Sequence, residues 1–177
     1  MIKQYKEIKN KYPDYIIFFR LGDFYEMFYE DAEIGSRELE IALTSRDPEN
    51  KVPMAGVPYH AADQYISKLV SKGYKVVICE QLEDPKKAKT IVKRDVVKIV
   101  TPGTVTDLNS LEEKKNNYLA CVYKQSEEFG LAFVDLMTGD FLTTELSCSY
   151  PYQDLLNEVS KYEPHECIVN EEMIKDP

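Results

Sequence analysis

The stretch FFRLGDFYEMFYED, residues 18–31, decides how the fold is predicted. Its first half ends a β-branched and aromatic run, which indicates a buried strand. Gly22 interrupts this run, and Asp23 followed three residues later by Glu26 has the spacing of a helix capping box. We therefore predict that a helix begins at about Phe24. An aromatic ring and a carboxylate at such a turn can also face a ligand outside the protein.

The first 105 residues alternate between helical and extended patterns. Apolar residues recur at helical spacing in 2–11 and 63–72, which predicts two amphipathic helices. Runs rich in β-branched residues predict buried strands at 15–21 and 74–82 and a third strand at 96–104. The proline-rich segment 47–63 is predicted as a loop. Strands separated by helices indicate a small mixed α/β domain.

The pattern changes after residue 105. The polar segment 106–117 is predicted as a linker, and three strands with tight turns, a helix and a further strand follow it. This β-β-β-α-β order is the opening of a ribonuclease-H-like layout. We therefore predict a first domain at 1–105 and a partial ribonuclease-H-like domain at 118–177. Because the second layout stops unfinished, the chain is interpreted as a fragment of a longer protein.

The net charge of −9 is distributed unevenly along the chain. Residues 1–105 carry 17 lysines and arginines against 16 aspartates and glutamates, whereas 106–177 carry 5 against 15. The first domain can therefore hold a local basic surface, while the second is too acidic to favour phosphate. No apolar run approaches the roughly 20 residues that span a bilayer, and the N-terminus has no secretory core. We expect a cytoplasmic protein without a membrane partner.

Motifs of several enzyme classes are absent from the sequence. It has neither a G-x-x-x-x-G-K-[ST] phosphate loop nor a G-x-S-x-G nucleophile elbow. The four cysteines are scattered without a C-x-x-C pair, which disfavours a metal site. Asp135 and Asp140 are the carboxylate pair that would bind Mg²⁺ in a nuclease, although T-G-D is also an ordinary turn sequence. A metal-dependent nuclease and a structural or protein-interaction module stay open as alternatives.

Basic residues recur in the predicted loops of the first domain. They are Arg46, Lys51, Lys86, Lys87, Lys89, Lys93 and Arg94. An aromatic side chain that stacks on a base, flanked by cations that hold phosphates, is one way to bind nucleic acid. Phe24, at the mouth of the predicted turn, fits the aromatic role. Glu26 beside it would repel phosphates, so its presence makes sense only against the edge of a base.

Four blocks of this domain carry a family resemblance: RLGDFYEMFYEDA, VPMAGVPYHA, ICEQLEDP and VVKIVTPGT. In order and spacing they resemble the N-terminal region of the MutS family of bacterial DNA mismatch recognition proteins, and LAFVDLMTGDF resembles the start of its connector domain. The resemblance implies that Phe24 stacks on a mispaired or unpaired base from the minor groove and that Glu26 hydrogen-bonds this base. Further DNA-binding positions that it implies are Arg46 and Arg94 at the DNA backbone, Lys93 beside Arg94, and Leu21 at the groove.

The resemblance also implies the setting in which such a chain works. The full-length protein would initiate post-replicative mismatch repair as a homodimer and would bind ATP and Mg²⁺ in an ATPase region that is absent here. For this fragment we therefore expect a monomer with no catalytic residue, no metal site and no cofactor. A MutL-type partner is expected to contact the connector domain at 118–177. The expected location is the bacterial cytoplasm, in association with the nucleoid.

Overall fold

The structure, a computed structural model, describes residues 1–45, 52–83, 92–105, 116–147 and 151–175. The chain divides into two compact units, Met1–Thr101 and Pro102–Pro177. Each unit holds one sheet with both parallel and antiparallel neighbours, so the predicted α/β fold class is confirmed. Among the described residues, no helix has the length and apolar character needed to cross a membrane.

The first unit is built on a six-stranded sheet. Its strands are β1 Tyr15–Leu21, β2 Phe24–Phe28, β3 Thr44–Ser45, β4 Pro53–Pro58, β5 Lys75–Gln81 and β6 Arg94–Val100. They follow the spatial order β3-β4-β2-β1-β5-β6, in which β1 is antiparallel to β2 and parallel to β5. Ile17, Phe18 and Phe19 of β1 are fully buried. The predicted strands at 15–21 and 74–82 are present as β1 and β5 inside the sheet, and the strand predicted at 96–104 is present as the edge strand β6, which begins two residues earlier and ends at Val100.

The segment after β1 is a β-hairpin, and the predicted helix start at Phe24 is wrong. Gly22 has a φ of 58° and forms, with Asp23, a two-residue loop between the paired residues Leu21 and Phe24. A glycine with positive φ at the first loop position is what a type II′ hairpin turn requires. Asp23 and Glu26 therefore form no capping box, because Glu26 lies inside strand β2.

The predicted loop at 47–63 contains the strand β4, which is a second correction. Ala55 and Val57 of this strand are fully buried, as alternation along a strand requires. Pro53 and Pro58 stand at its first and last positions, which is where a strand tolerates a residue without an N–H group. Because of the two prolines and the glycine between them, the alternation of apolar residues in this segment was not recognised as a strand.

Three helices cover the two faces of this sheet: α1 Ile2–Lys11, α2 Glu30–Leu39 and α3 Ala62–Ser71. On one face, the Tyr5 ring of α1 packs edge-on against Phe19 and Phe28, with ring centroids 5.8 and 5.1 Å apart. Met27 points to the opposite face, towards α2, where a Cβ on Gly35 would lie 2.5 Å from the Met27 Sδ atom. The α3 helix contacts α2 and β5. The predicted helices at 2–11 and 63–72 are confirmed by α1 and α3.

A buried carboxylate ties α1, β1 and α2 together. Asp31, in the first turn of α2, is 1% exposed. Its Oδ1 accepts a hydrogen bond from Lys9 Nζ at 2.7 Å, and its Oδ2 accepts one from the Ile17 main-chain N–H at 3.0 Å. The Tyr5 hydroxyl also donates to Asp31. Burial, followed by the charge of Asp31, raises the pKa of Tyr5, so the hydroxyl stays a donor.

A second polar cluster links β1, β2 and β5. The Tyr25 hydroxyl donates to the Glu80 carboxylate, and Arg20 Nη1 lies 3.7 Å from Glu80 Oε1. The Arg20 guanidinium carbon also lies 5.5 Å from the centroid of the Tyr25 ring. Burial, followed by the hydrogen bond to Glu80 and the charge of Glu80, raises the pKa of Tyr25 to about 12. The tyrosine is therefore protonated and donating throughout the neutral range.

The second unit holds a four-stranded sheet with the spatial order β10-β7-β8-β9. Its elements are β7 Tyr118–Gln125, β8 Glu128–Asp135, β9 Phe141–Ser147, α4 Pro151–Tyr162, β10 Glu166–Val169 and α5 Glu171–Lys175. The predicted β-β-β-α-β order is confirmed, and α5 follows it without having been predicted. Phe129, Leu131 and Phe133 form its core with Leu155 of α4. Of the predicted linker, only residues 116 and 117 lie within the described part of the chain.

We expect Asp31→Asn to lower the free energy of unfolding of the first unit. Breaking a buried ion pair costs roughly 3–5 kcal/mol. We expect a loss of about 3 kcal/mol, at the low end of that range, because the Lys9 side chain is 26% exposed and can be solvated. Urea denaturation followed by circular dichroism measures the change.

Glu40→Gln is the matched control for Asp31→Asn. The Glu40 side chain is 81% exposed and its carboxylate pairs with Lys68 Nζ at 3.2 Å, so we expect a loss below about 0.5 kcal/mol. Equal losses in the two variants would contradict the assignment of Asp31 as the link between the layers.

The stability of the first unit should fall as the pH rises from 10 towards 12. Because the folded-state pKa of Tyr25 lies at about 12, above the ordinary 10.0, its contribution is complete below pH 10 and disappears as the pH passes through the folded value. In Tyr25→Phe the free energy of unfolding should fall less steeply over this pH range, and the fall that remains comes from the buried Tyr5. Urea denaturation between pH 8 and 12 tests this, with the exposed Tyr123→Phe as control. Parallel curves for wild type and Tyr25→Phe would refute it.

Candidate nucleic-acid interface

The hairpin between β1 and β2 presents one large apolar side chain to solvent. Phe24 is 46% exposed, whereas Tyr25, Met27 and Phe28 of the same strand are buried. Its backbone pairs with Leu21 on β1 and with Pro58 on β4. Phe24 therefore combines an exposed ring with a backbone that is held by a strand on each side.

Glu26 lies on the same face of β2 as Phe24. Side chains alternate between faces along a strand, so residues two apart point the same way and lie about 7 Å apart at 3.4 Å per residue. Glu26 is partly buried, and its neighbours across the sheet are Phe19 on β1 and Gly56 on β4. The hairpin thus places an exposed aromatic ring next to a partly shielded carboxylate.

Arg94 is held inside the first unit. Its side chain donates from Nε to the Arg20 carbonyl oxygen at 2.6 Å and from Nη1 to the Val92 carbonyl oxygen at 2.8 Å. The guanidinium carbon lies 5.1 Å from the centroid of the Phe19 ring, and the residue is 9% exposed. These contacts explain how a charged residue is accommodated over the core. The contact with Phe19 also places its charge on the sheet face that carries Glu26, the cross-strand partner of Phe19.

The remaining predicted DNA-binding residues have different surroundings. Lys93 is exposed, and its main-chain N–H donates to Glu83 Oε1 at 2.8 Å, so its position beside β6 is fixed. Leu21 is partly buried against the core cluster under α1 and pairs with Phe24. Arg46 lies outside the described residues. The structure thus brings Leu21, Phe24 and Glu26 together on the hairpin.

Arg20 and Tyr59, to which the sequence analysis assigned no role, brace the hairpin loop. Arg20 Nε donates to the Gly22 carbonyl oxygen at 2.6 Å, and its guanidinium carbon lies 3.8 Å from the centroid of the Tyr59 ring. The Tyr59 N–H in turn donates to the Asp23 carbonyl oxygen at 2.9 Å. The signal available in the sequence was the single arginine that interrupts the apolar run YIIFFRL.

The carboxylates considered for a nuclease are engaged by turn contacts. Asp135 is 2% exposed, and its side chain accepts hydrogen bonds from the main-chain N–H groups of Asn117, Met137 and Thr138. Burial acts to raise the pKa of Asp135, but these backbone donors outweigh it and hold the pKa below its usual value. Asp140 Oδ2 accepts a hydrogen bond from Asn116 at 3.2 Å. Within the described residues, no three His, Cys, Asp or Glu side chains are grouped to hold a metal ion.

Comparison with known proteins shows similarity over nearly the whole chain. The family model for MutS domain I matches residues 1–109, and that for MutS domain II matches residues 117–176. The DNA mismatch repair protein MutS of Ruminiclostridium cellulolyticum is 61% identical over 99% of this chain, and that of Acetivibrio thermocellus is 58% identical over 99%. The protein of the same name from Caldanaerobacter subterraneus subsp. tengcongensis is 59% identical over 99%.

The chain spans about a fifth of the length of these curated relatives, since the matched segment is 20% of each. The two family matches are consecutive and agree with the residues that form the two sheets. Because the first match alone covers more than half of the residues, the chain belongs to the MutS family.

Proposed function

We propose that the first unit recognises mispaired and unpaired bases in duplex DNA, with Phe24 as the inserted ring and Glu26 as the residue that hydrogen-bonds the base. The observation that carries this proposal is the 46% exposure of Phe24 within a strand whose other aromatic residues are buried. A stable sheet that leaves a large ring in water at a braced turn indicates a binding partner for that ring. The relatives named as DNA mismatch repair proteins support faulty duplex DNA as that partner.

Discrimination follows from the stacking energy of the DNA. A mispaired step stacks poorly and deforms readily, so a ring enters it at lower cost than it enters a sound step. Insertion of an apolar wedge from the minor groove kinks the duplex and costs a few kcal/mol per unstacked step. Insertion into a correctly paired duplex bears the full unstacking cost. The difference in binding free energy between mismatched and correctly paired DNA is the specificity.

Glu26 gives the inserted ring its chemical selectivity. A carboxylate close to DNA is repelled by phosphates unless it meets a nitrogen of a base with which it shares a proton. Between the bases it loses water, and this desolvation favours the protonated carboxyl, which can donate a hydrogen bond. The partly buried position of Glu26 beside the buried Phe19 supports this role, because the side chain is already half removed from water.

The chain works, in this proposal, within a longer protein of the kind that its relatives represent. That protein initiates repair as a homodimer in the bacterial cytoplasm and uses ATP and Mg²⁺ in a region outside this chain. Arg46, Arg94 and Lys93 contribute to the DNA-backbone side of the interface. The second unit contacts a MutL-type partner, and the excess of 15 acidic over 5 basic residues in 106–177 supports a role away from phosphates.

Phe24→Ala should abolish the preference for mismatched DNA. The test protein is a grafted protein, in which residues 1–177 replace the matching segment of the full-length R. cellulolyticum relative. Loss of one base stack, worth about 1–3 kcal/mol, should weaken mismatch binding roughly 5- to 150-fold and leave homoduplex binding nearly unchanged. Fluorescence anisotropy at one fixed salt concentration measures both affinities, for duplexes with and without a single unpaired thymine.

The control for Phe24→Ala is Tyr123→Ala, which removes a 55% exposed strand aromatic from the second unit. We expect it to keep the wild-type ratio of the two affinities. Melting of Phe24→Ala should stay within a few degrees of wild type because the ring is half exposed. An unchanged affinity ratio in this variant would refute the proposed role of Phe24.

Glu26→Gln should retain or tighten DNA binding while weakening discrimination. The amide removes a negative charge next to phosphates and keeps a hydrogen-bond donor, so affinity for homoduplex should rise towards that for mismatched DNA. The same anisotropy pair measures this in the grafted protein, with the exposed strand glutamate variant Glu145→Gln as control. Loss of all DNA binding in Glu26→Gln would count against the assignment.

A further inference from the structure

Gly56 occupies a strand position that the backbone does not require to be glycine. It lies in the middle of β4, directly across from Glu26 on β2. Only Gly22, Gly73 and Gly139 among the described glycines have positive φ, so the conformation at position 56 is one that other residues adopt. Glycine inside a strand destabilises it by roughly 0.5–1 kcal/mol relative to alanine. This residue therefore needs another explanation.

Packing inside the unit excludes a side chain at position 56 less strictly than it does at Gly35. The three atoms nearest to a Cβ on Gly56 would be the Tyr25 carbonyl oxygen at 3.3 Å, Glu26 Cγ at 3.5 Å and Glu26 Cα at 3.8 Å. These are tight to ordinary contacts, unlike the 2.5 Å contact that a Cβ on Gly35 would make with Met27. A methyl group at position 56 would therefore require the Tyr25 carbonyl oxygen to shift by a few tenths of an ångström, and it would stand beside the Glu26 side chain.

Within its cross-strand row, Glu26 has a neighbouring side chain on one side only. On the β1 side, Glu26 is bordered by Phe19, which is fully buried. On the β4 side it is bordered by Gly56, which has no side chain. Pro58 and Phe24 form the next row of the same face. In the paired strands, the position next to Glu26 on the β4 side therefore carries no side chain, and it lies one row from the exposed ring.

We propose that Gly56 determines specificity by letting the edge of a nucleobase reach Glu26. This inference rests on the function proposed above and adds a residue to it. A glycine in a strand often marks the place where a ligand approaches the backbone closely. A base stacked on Phe24 has to bring a ring nitrogen or an exocyclic group to about 2.7–3.2 Å from the carboxylate for a hydrogen bond. A methyl group at position 56 occupies the space through which that edge passes.

Gly56→Ala in the grafted protein tests the inference against a matched glycine. Gly130 lies inside β8 of the second unit, and the nearest contact of a Cβ there would be the Tyr123 carbonyl oxygen at 4.0 Å. We expect Gly56→Ala to lower the ratio of mismatch to homoduplex affinity at least about fivefold, as loss of one ordinary hydrogen bond would. Gly130→Ala should leave the ratio unchanged, and both variants should melt within a few degrees of wild type.

The effect should also depend on Glu26. In a Glu26→Ala background, Gly56→Ala should change the affinity ratio no further, because the hydrogen bond that it blocks is already absent. A Gly56→Ala protein that keeps the wild-type ratio while Phe24→Ala loses it would overturn the inference and leave the proposed function standing. A Phe24→Ala protein that keeps the ratio would instead refute the proposed function. Melting of Gly56→Ala far below Gly130→Ala would also overturn the inference, because the fold itself would then require the glycine.

Discussion

The candidate interface depends on the pairing of β2 with a strand on each side. Leu21 and Pro58 flank Phe24 in the ladder, and the two-residue loop at Gly22 sets this register. Once the register is set, alternation along the strand determines which face of the sheet each side chain points to. Tyr25 and Met27 enter the core, while Glu26 is placed on the face of Phe24. The exposed ring and the carboxylate are therefore consequences of one turn.

Charge within the first unit is organised so that the layers around this hairpin stay in place. Asp31 is buried and receives donors from α1 and β1, which fixes the layer under Phe19. Arg20 braces the loop from the opposite face and also approaches Glu80. Arg94 is compensated by main-chain carbonyl oxygens and an aromatic face. For Asp31 and Arg20, the partners within the unit suit residues that position the hairpin.

The elements with a local signature were predictable from the sequence. The strand β1 and the helices α1 and α3 have apolar residues at the spacing of their own secondary structure, and no distant residue is needed to recognise them. The hairpin was mistaken for a helix start because Asp23 and Glu26 have the same spacing in a capping box as in this turn and strand. Pairing with the adjacent strand β1 and with β4, which is remote in the chain, distinguishes the two structures.

The candidate site was predictable to the same degree. Phe24 and Glu26 are two residues apart, and the strand, unlike the predicted helix, places their side chains on one face. Gly56 is opposite Glu26 only because of the register between β2 and β4, and a single sequence contains no direct record of register. The burial of Arg94 likewise depends on the Arg20 carbonyl oxygen, which is far away in the chain. Contacts of this kind appear only when the sheet is assembled.

The braced hairpin has a mechanical consequence for the proposed mechanism. With strands on both sides of Phe24 and with Arg20 and Tyr59 against the loop, the Phe24 main chain has almost no freedom to yield. When this rigid hairpin binds a duplex, nearly all of the deformation must therefore occur in the DNA. In this proposal the hairpin responds to the local deformability of the duplex. A mispaired step would be distinguished because it deforms easily, before Glu26 contacts the base.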